Sequence, residues 1–100
     1  MIGLHMENNK ESEWDASYKN RDNFIFYPHD EVIRFFAKHV VKRTGINEFA
    51  KKHALERVPR ILDLGCGIGR HVRLAHELKL DPYGIDLSTE AITVARQILS

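Results

Sequence analysis

The second half of the chain alternates short, largely apolar runs with stretches of helical periodicity. The apolar runs cover residues 60–64 and 82–86, and each has the length of a buried strand. Apolar positions recur at helical spacing over residues 70–78 and about residues 89–99. The order strand, helix, strand, helix predicts neighbouring parallel strands joined by right-handed crossovers. We therefore expect an α/β sandwich, with helices flanking a parallel sheet.

The first half of the chain is predicted to be helical. A broad apolar stripe favours a helix from about residue 29 to residue 43, which Gly45 is expected to end. Asn47 can cap a shorter helix that runs to about residue 56. The predicted organisation is an amino-terminal helical segment over residues 1–59, followed by the first half of a ligand-binding α/β domain over residues 60–100.

Residues 7–23 are polar and rich in charge, but they carry two aromatic side chains at helical spacing. Trp14 and Tyr18 are four residues apart, so that a helix would place them on one face. Two interpretations stay open for this segment. The aromatic side chains can pack a helix onto the domain, or the segment can contact a cofactor or substrate.

A glycine loop, residues 65–69, joins the first predicted strand to the helix that follows it. The loop reads Gly-Cys-Gly-Ile-Gly, with glycines at alternate positions. Glycine lets a ligand approach the backbone more closely than a Cβ would allow, here at the amino terminus of a helix. Asp86 ends the neighbouring strand, where a carboxylate can bind the ribose hydroxyls of a nucleoside cofactor. The loop and Asp86 together predict a cofactor site.

The glycine spacing separates two classes of cofactor. A dinucleotide fingerprint would need a glycine at position 70, which is Arg70. The chain instead has an aspartate before three alternate glycines and a second aspartate at the end of the next strand: Asp63, Gly65, Gly67, Gly69 and Asp86. This pattern resembles motif I and the next acidic motif of the class I S-adenosylmethionine-dependent methyltransferases. The resemblance covers about residues 60–99.

The resemblance implies a role for each residue of these motifs. The glycines Gly65, Gly67 and Gly69 would shape the pocket around the methionine and ribose portions of the cofactor. Asp63 would bind the cofactor's amino group, directly or through water. Asp86 would accept both ribose hydroxyls.

Four further residues complete the predicted cofactor site. Cys66 and Leu87 belong to it through their places in the two motifs. In many members of this family a segment upstream of motif I folds over the cofactor, which would bring in Tyr18 and Arg21. The arginine could pair with the cofactor's carboxylate, although a solvated arginine is the simpler interpretation.

The same resemblance implies a Rossmann-like methyltransferase sandwich, whose sheet has seven strands in the family and of which this chain would contain the first two. The implied function is direct methyl transfer from S-adenosyl-L-methionine to an oxygen, nitrogen or carbon of a small-molecule acceptor. No catalytic residue is identified, and we expect the general base on later strands beyond Ser100. The alternative is a module that binds the cofactor or a partner without turnover. A nicotinamide-dependent oxidoreductase is disfavoured by the glycine spacing.

Simpler interpretations exist for the motif residues one at a time. The glycines can form a tight turn, and Asp63 or Asp86 can cap neighbouring backbone. Cys66 is the only cysteine, so that it cannot form an intramolecular disulfide, and its side chain is expected to be a small buried spacer. No metal site is predicted, since His71 and His76 are spaced poorly for one helical face.

Composition limits the partners. Fifteen Lys and Arg residues against 14 Asp and Glu give a net charge of +1, so the charge does not support binding to nucleic acid or to acidic membranes. No apolar run is long enough to span a membrane, and no secretory signal is recognisable. A cytoplasmic location is the resulting expectation. Residues 1–5, which precede Met6, could be an expression leader.

Overall fold

The computed structural model describes residues 24–99, and residues 3–6 as backbone. In chain order the elements are β1 (Gly3–Met6), α1 (Asp30–His39), β2 (Val41–Arg43), β3 (Phe49–Lys51), β4 (Arg60–Leu64), α2 (Arg70–Glu77), β5 (Asp81–Asp86) and α3 (Thr89–Leu99). The predicted order of strands and helices in the second half of the chain is confirmed, with ends that agree to within one residue. The protein is a small α/β domain.

The main sheet is parallel and has the strand order β1-β5-β4. The predicted neighbours β4 and β5 pair in a register that sets Asp63 opposite Gly84 and Leu64 opposite Ile85. The expectation of only two strands is wrong, because β1 adds a third along the free edge of β5, with Leu4 opposite Gly84. Four residues are too few for periodicity to reveal a strand. That residues 1–5 are an expression leader stays a prediction.

A β-hairpin replaces the end of one predicted helix and the whole of another. α1 ends at His39, and β2 and β3 then pair in antiparallel fashion, with Val41 opposite Lys51 and Arg43 opposite Phe49. The helix predicted to reach residue 43 is therefore too long, and the helix predicted over residues 47–56 is wrong. Within the described residues, the stretch between β3 and β4 contains neither helix nor strand.

The hairpin has a physical basis in Val41 and Arg43. Val41 is buried in a cluster with Phe36, Ala75 and Leu80. Its place at the start of β2, and not in a further turn of α1, completes this part of the core. The Arg43 side chain donates to the carbonyl oxygens of residues 45 and 46 inside the hairpin loop. A basic residue that was expected to sit at a helix end thus stabilises a turn.

The two faces of the main sheet differ. Helices α2 and α3 pack on the face that carries Gly84, which we call the covered face, through a cluster of Cys66, Val72 and Ile92. The opposite, open face exposes apolar side chains: Leu62 is 59% exposed, Leu64 71% and Tyr83 41%. Alternation along each strand therefore places Asp63, Gly84 and Asp86 on the covered face, beneath the helices.

Candidate functional site

The glycine loop bends sharply as the chain passes from β4 into α2. Gly65, Gly67 and Gly69 have φ angles of +72°, +57° and +88°, all in the left-handed region. Residues with a Cβ adopt this region at a cost, so the three alternate glycines are what the backbone path requires. A Cβ on Gly65 would meet no atom within 4 Å, whereas one on Gly69 would lie 3.1 Å from the Leu99 side chain. Gly65 therefore borders open space and Gly69 faces the core.

Backbone hydrogen bonds hold the loop against β5. The N–H groups of Gly65 and Cys66 both donate to the carbonyl oxygen of Ile85, at 2.7 and 2.9 Å. Close contact is possible because β5 has Gly84 at this level. A Cβ there would lie 2.8 Å from the Cys66 Sγ and 2.9 Å from a Val72 methyl carbon, and both distances are shorter than non-bonded contacts of a Cβ atom. Gly84 thus sets how near the loop lies to the sheet.

Asp86 connects the loop to the end of β5. Its Oδ2 accepts a hydrogen bond from the Gly67 N–H at 2.7 Å, and its Oδ1 accepts one from the Ser88 N–H at 2.8 Å. The residue is only 8% exposed. The described contacts therefore show that Asp86 caps neighbouring backbone. Two carboxylate oxygens offer about four acceptor positions, so two remain for further donors. The ribose role of Asp86 stays a prediction.

Asp63 lies on the same face, at the carboxyl end of β4. Its Oδ2 is 3.9 Å from the Nδ1 of His71, and the two side chains are 23% and 20% exposed. Burial raises the pKa of Asp63, Arg70 lowers it, and the nearby Asp86 raises it again. The carboxylate of Asp63 is thus partly buried next to a second acid, an environment that a cationic group would stabilise.

His71 is neutral in this arrangement. Its Nε2 accepts a hydrogen bond from the His29 N–H at 3.0 Å, which requires that this nitrogen carry no proton. Burial lowers the pKa of His71, and the charges of Arg70 and His29 lower it further. The distance to Asp63 alone would suggest an ion pair, but the hydrogen bond from His29 and the lowered pKa favour a neutral imidazole with its proton on Nδ1, toward Asp63.

Residues 24–29, which we call the strap, run past the loop before α1 begins. Phe24 packs against Ile68 of the loop and Ala91 of α3. Arg70 donates from Nη1 to the carbonyl oxygen of Tyr27 at 3.1 Å. With the His29 contact to His71, these interactions fix the strap to residues that follow the carboxyl ends of both β4 and β5.

Cys66 and Leu87 have different surroundings. Cys66 is 5% exposed and packs into the core, as the interpretation of a buried spacer requires. Burial raises the pKa of its thiol to about 12, with further contributions from Asp86 and Asp63. Its thiol donates to the carbonyl oxygen of Gly67, inside the loop, at 3.6 Å. Leu87 is half-buried in the turn between β5 and α3. Tyr18 and Arg21 lie outside the described residues.

Ser88 directly precedes α3, which begins at Thr89, and caps its first turn. It is fully buried, and its Oγ accepts a hydrogen bond from the Ala91 N–H at 3.0 Å.

The described part of the chain contains no cluster of three or more His, Cys, Asp or Glu side chains suited to a metal ion. Within the same residues, none of the helices has the length and apolar character that crossing a membrane requires.

Sequence reasoning missed three residues of this site: Gly84, His71 and His29. A glycine inside a predicted strand is a signal of close backbone approach, and it could have identified Gly84. His71 was considered only as a metal ligand on its own helix. Its actual partners come from β4 and the strap, and no local spacing reveals them.

Comparisons of the chain with protein-family models, with curated proteins and with solved structures found no match.

Proposed function

We propose that the glycine loop and its two aspartates bind S-adenosyl-L-methionine, and that the protein is a methyltransferase, or part of one, acting on a small-molecule acceptor in a Rossmann-like fold. The observation that carries the proposal is the loop itself. Three left-handed glycines lie between β4 and α2, fixed to Asp86, and the Cβ position of Gly65 opens into free space. A backbone shaped in this way leaves room for a ligand at the carboxyl end of a parallel sheet.

The chemistry of the donors fits the proposed cofactor. Asp63 has a partly exposed carboxylate that a ligand ammonium group would stabilise, in keeping with its raised pKa. Asp86 keeps acceptor positions for hydroxyl donors after binding two backbone N–H groups. The first turn of α2 has no acidic residue, and its amino-terminal cap residue, Gly69, has no side chain that could accept from the N–H groups there. This end of α2 therefore suits the negative charge of a ligand carboxylate.

Bound at this site, S-adenosyl-L-methionine supplies an electrophilic methyl group for direct displacement by an acceptor nucleophile. The contribution of the chain is to hold the two ends of the cofactor at fixed positions, Asp63 at the amino group and Asp86 at the ribose. Alignment of reacting atoms can recover about 7–11 kcal/mol of a reaction barrier. Neither His71 nor Cys66 is placed as a general base, because both nitrogens of His71 face partners and the Cys66 thiol is protonated.

That last observation favours the second candidate, a module that binds the cofactor or a partner without turnover. The two candidates are separated by incubating the protein with labelled S-adenosylmethionine and a panel of metabolites. Transfer of label supports the enzyme, whereas binding with no transfer to any acceptor supports the module.

The test of the site is calorimetry with S-adenosylhomocysteine, S-adenosylmethionine and NAD. We expect the first two to bind and NAD not to bind. Gly65→Ala places a methyl group in the open space beside the loop and should weaken binding of S-adenosylhomocysteine about tenfold or more, which corresponds to about 1.4 kcal/mol.

Gly45→Ala is the control for the added methyl group alone, since Gly45, unlike Gly65, does not have a left-handed φ. It adds the same methyl group in the hairpin loop, where it would meet only the flexible side chain of Glu48, and binding should be unchanged. Binding of NAD without binding of S-adenosylhomocysteine would contradict the proposal. Equal affinity of the Gly65→Ala variant and the parent would show that the ligand lies elsewhere.

A further inference from the structure

The strap is fixed to the site by one hydrogen bond whose acceptor can gain a proton. Of its three described attachments, the packing of Phe24 and the bond from Arg70 to the Tyr27 carbonyl do not depend on a titration near neutral pH. The third, from the His29 N–H to the Nε2 of His71, exists only while that nitrogen carries a lone pair. Protonation of His71 turns this acceptor into a donor that faces another donor.

We propose that His71 is a proton-controlled latch between the strap and the cofactor site. The neutral imidazole holds the His29 backbone. The imidazolium loses that bond and pairs with Asp63, whose Oδ2 is already 3.9 Å from Nδ1. This inference rests on the proposed function in its consequence for the cofactor, because Asp63 is the residue expected to bind the cofactor's amino group.

The groups around His71 come from three elements. Asp63 faces it from β4, Arg70 precedes it on α2, and His29 lies on the strap. α1 contributes only the apolar side chains Val32, Phe35 and Phe36 to the cavity of about 310 Å³ that His71 also lines. Asp63 favours the imidazolium, whereas burial and the charge of Arg70 oppose it; the His29 imidazole accepts a hydrogen bond from the Glu31 N–H through its Nδ1.

The direction of the pH dependence follows from these neighbours. The pKa of His71 is lowered from its ordinary value of 6.5 by burial first, then by Arg70 and His29. The folded protein with its strap attached therefore takes up a proton less readily than the free imidazole does. The contribution of the latch is fully present above pH 6.5 and is lost as the pH falls through the lowered pKa.

Two effects at the cofactor site then act in the same direction. An imidazolium next to Asp63 competes with a ligand ammonium group for the same carboxylate. Release of the His29 backbone also loosens the strap beside Ile68 and Arg70. Acidification should therefore weaken the binding of S-adenosylhomocysteine and increase the motion of the strap together.

The experiment measures the strap directly, without ligand, in the full chain. Hydrogen exchange at the His29 amide is followed by NMR from about pH 8 to about pH 5 and expressed as a protection factor, and the His71 imidazole is titrated in the same samples. The protection factor should fall about twofold to tenfold, as expected for loss of one neutral hydrogen bond. Its midpoint should coincide with the His71 titration.

Two variants sharpen the test. His71→Gln keeps an acceptor near the position of Nε2 but cannot take up a proton, so the His29 protection should lose the transition that coincides with the His71 titration. His76→Gln is the control, since His76 is an exposed histidine on the same helix, and it should keep the parent's pH dependence. A flat pH profile in the parent, or midpoints that differ for His71 and the His29 amide, would overturn the latch even if the His71 variant fails to fold.

Calorimetry with S-adenosylhomocysteine over the same pH range then tests the link to the site. Weaker binding at low pH in the parent, and not in His71→Gln, is the expected result. If the ligand binds at no pH, the proposed function fails while the amide measurement still decides the latch.

Discussion

Replacement of Asp86 by alanine should damage the fold as well as any cofactor binding. Its two oxygens accept hydrogen bonds from the Gly67 and Ser88 N–H groups at 2.7 and 2.8 Å, in a place that is 8% exposed. Alanine leaves both N–H groups without these acceptors.

The magnitude follows from the two bonds. A hydrogen bond to a charged group contributes about 1.5–3 kcal/mol, so that two give about 3–6 kcal/mol as an upper bound before water enters the site. Small domains have a total free energy of unfolding of about 5–15 kcal/mol. Asp86→Ala should therefore remove a large fraction of the stability. Asp86→Asn should be milder, because its amide oxygen still accepts one of the two N–H groups.

The assay is urea denaturation followed by circular dichroism. With an m-value of about 1–3 kcal/mol per molar, a loss of about 3 kcal/mol in Asp86→Ala would lower the unfolding midpoint by about 1–3 M. Asp30→Asn is a control that removes one carboxylate charge at the exposed start of α1, where it should cost about 0.3–1 kcal/mol. An Asp86→Ala midpoint equal to that of the parent would refute the reasoning.

Three other outcomes follow from the packing around the loop. Gly84→Ala should destabilise the protein by about 1–3 kcal/mol in the same urea assay, since its Cβ would lie 2.8 Å from the Cys66 Sγ; an unchanged midpoint would mean that the loop can move away from β5. Ser88→Ala should cost about 1 kcal/mol through loss of the α3 cap, and an unchanged midpoint would contradict the capping role. Cys66, with a pKa of about 12, should react with iodoacetamide at neutral pH only after denaturant is added, and rapid labelling of the folded protein would contradict its burial.

The parts of the fold that the sequence predicted are those where local signals agree. In the second half, the apolar periodicity and the glycine loop point to the same elements, and the ends of those elements are correct to within one residue. The glycine loop was predictable because a strand that runs into alternate glycines is compatible with few structures other than a tight turn.

The errors fall where tertiary contacts decide. Lys42 and Arg43 suit a helix end, and Gly45 suits its termination, but a hairpin uses the same residues equally well. Burial of Val41 against Ala75 and Leu80 selects the strand, and those partners lie more than thirty positions away in the sequence. The contacts of His71 could not be predicted for the same reason, since β4 and the strap meet α2 only after the chain has folded.

The two hydrogen bonds that Asp86 accepts affect the kinetics of ligand binding. A glycine-rich segment in a flexible loop loses about 1–2 kcal/mol of backbone entropy per residue when it becomes ordered. Here the Ile85 carbonyl and the Asp86 carboxylate order the segment within the protein itself, so that this entropy is lost on folding and not on association. A preorganised loop predicts a simple bimolecular approach, with a rate that rises in proportion to ligand concentration and shows no plateau from a slow rearrangement of the loop.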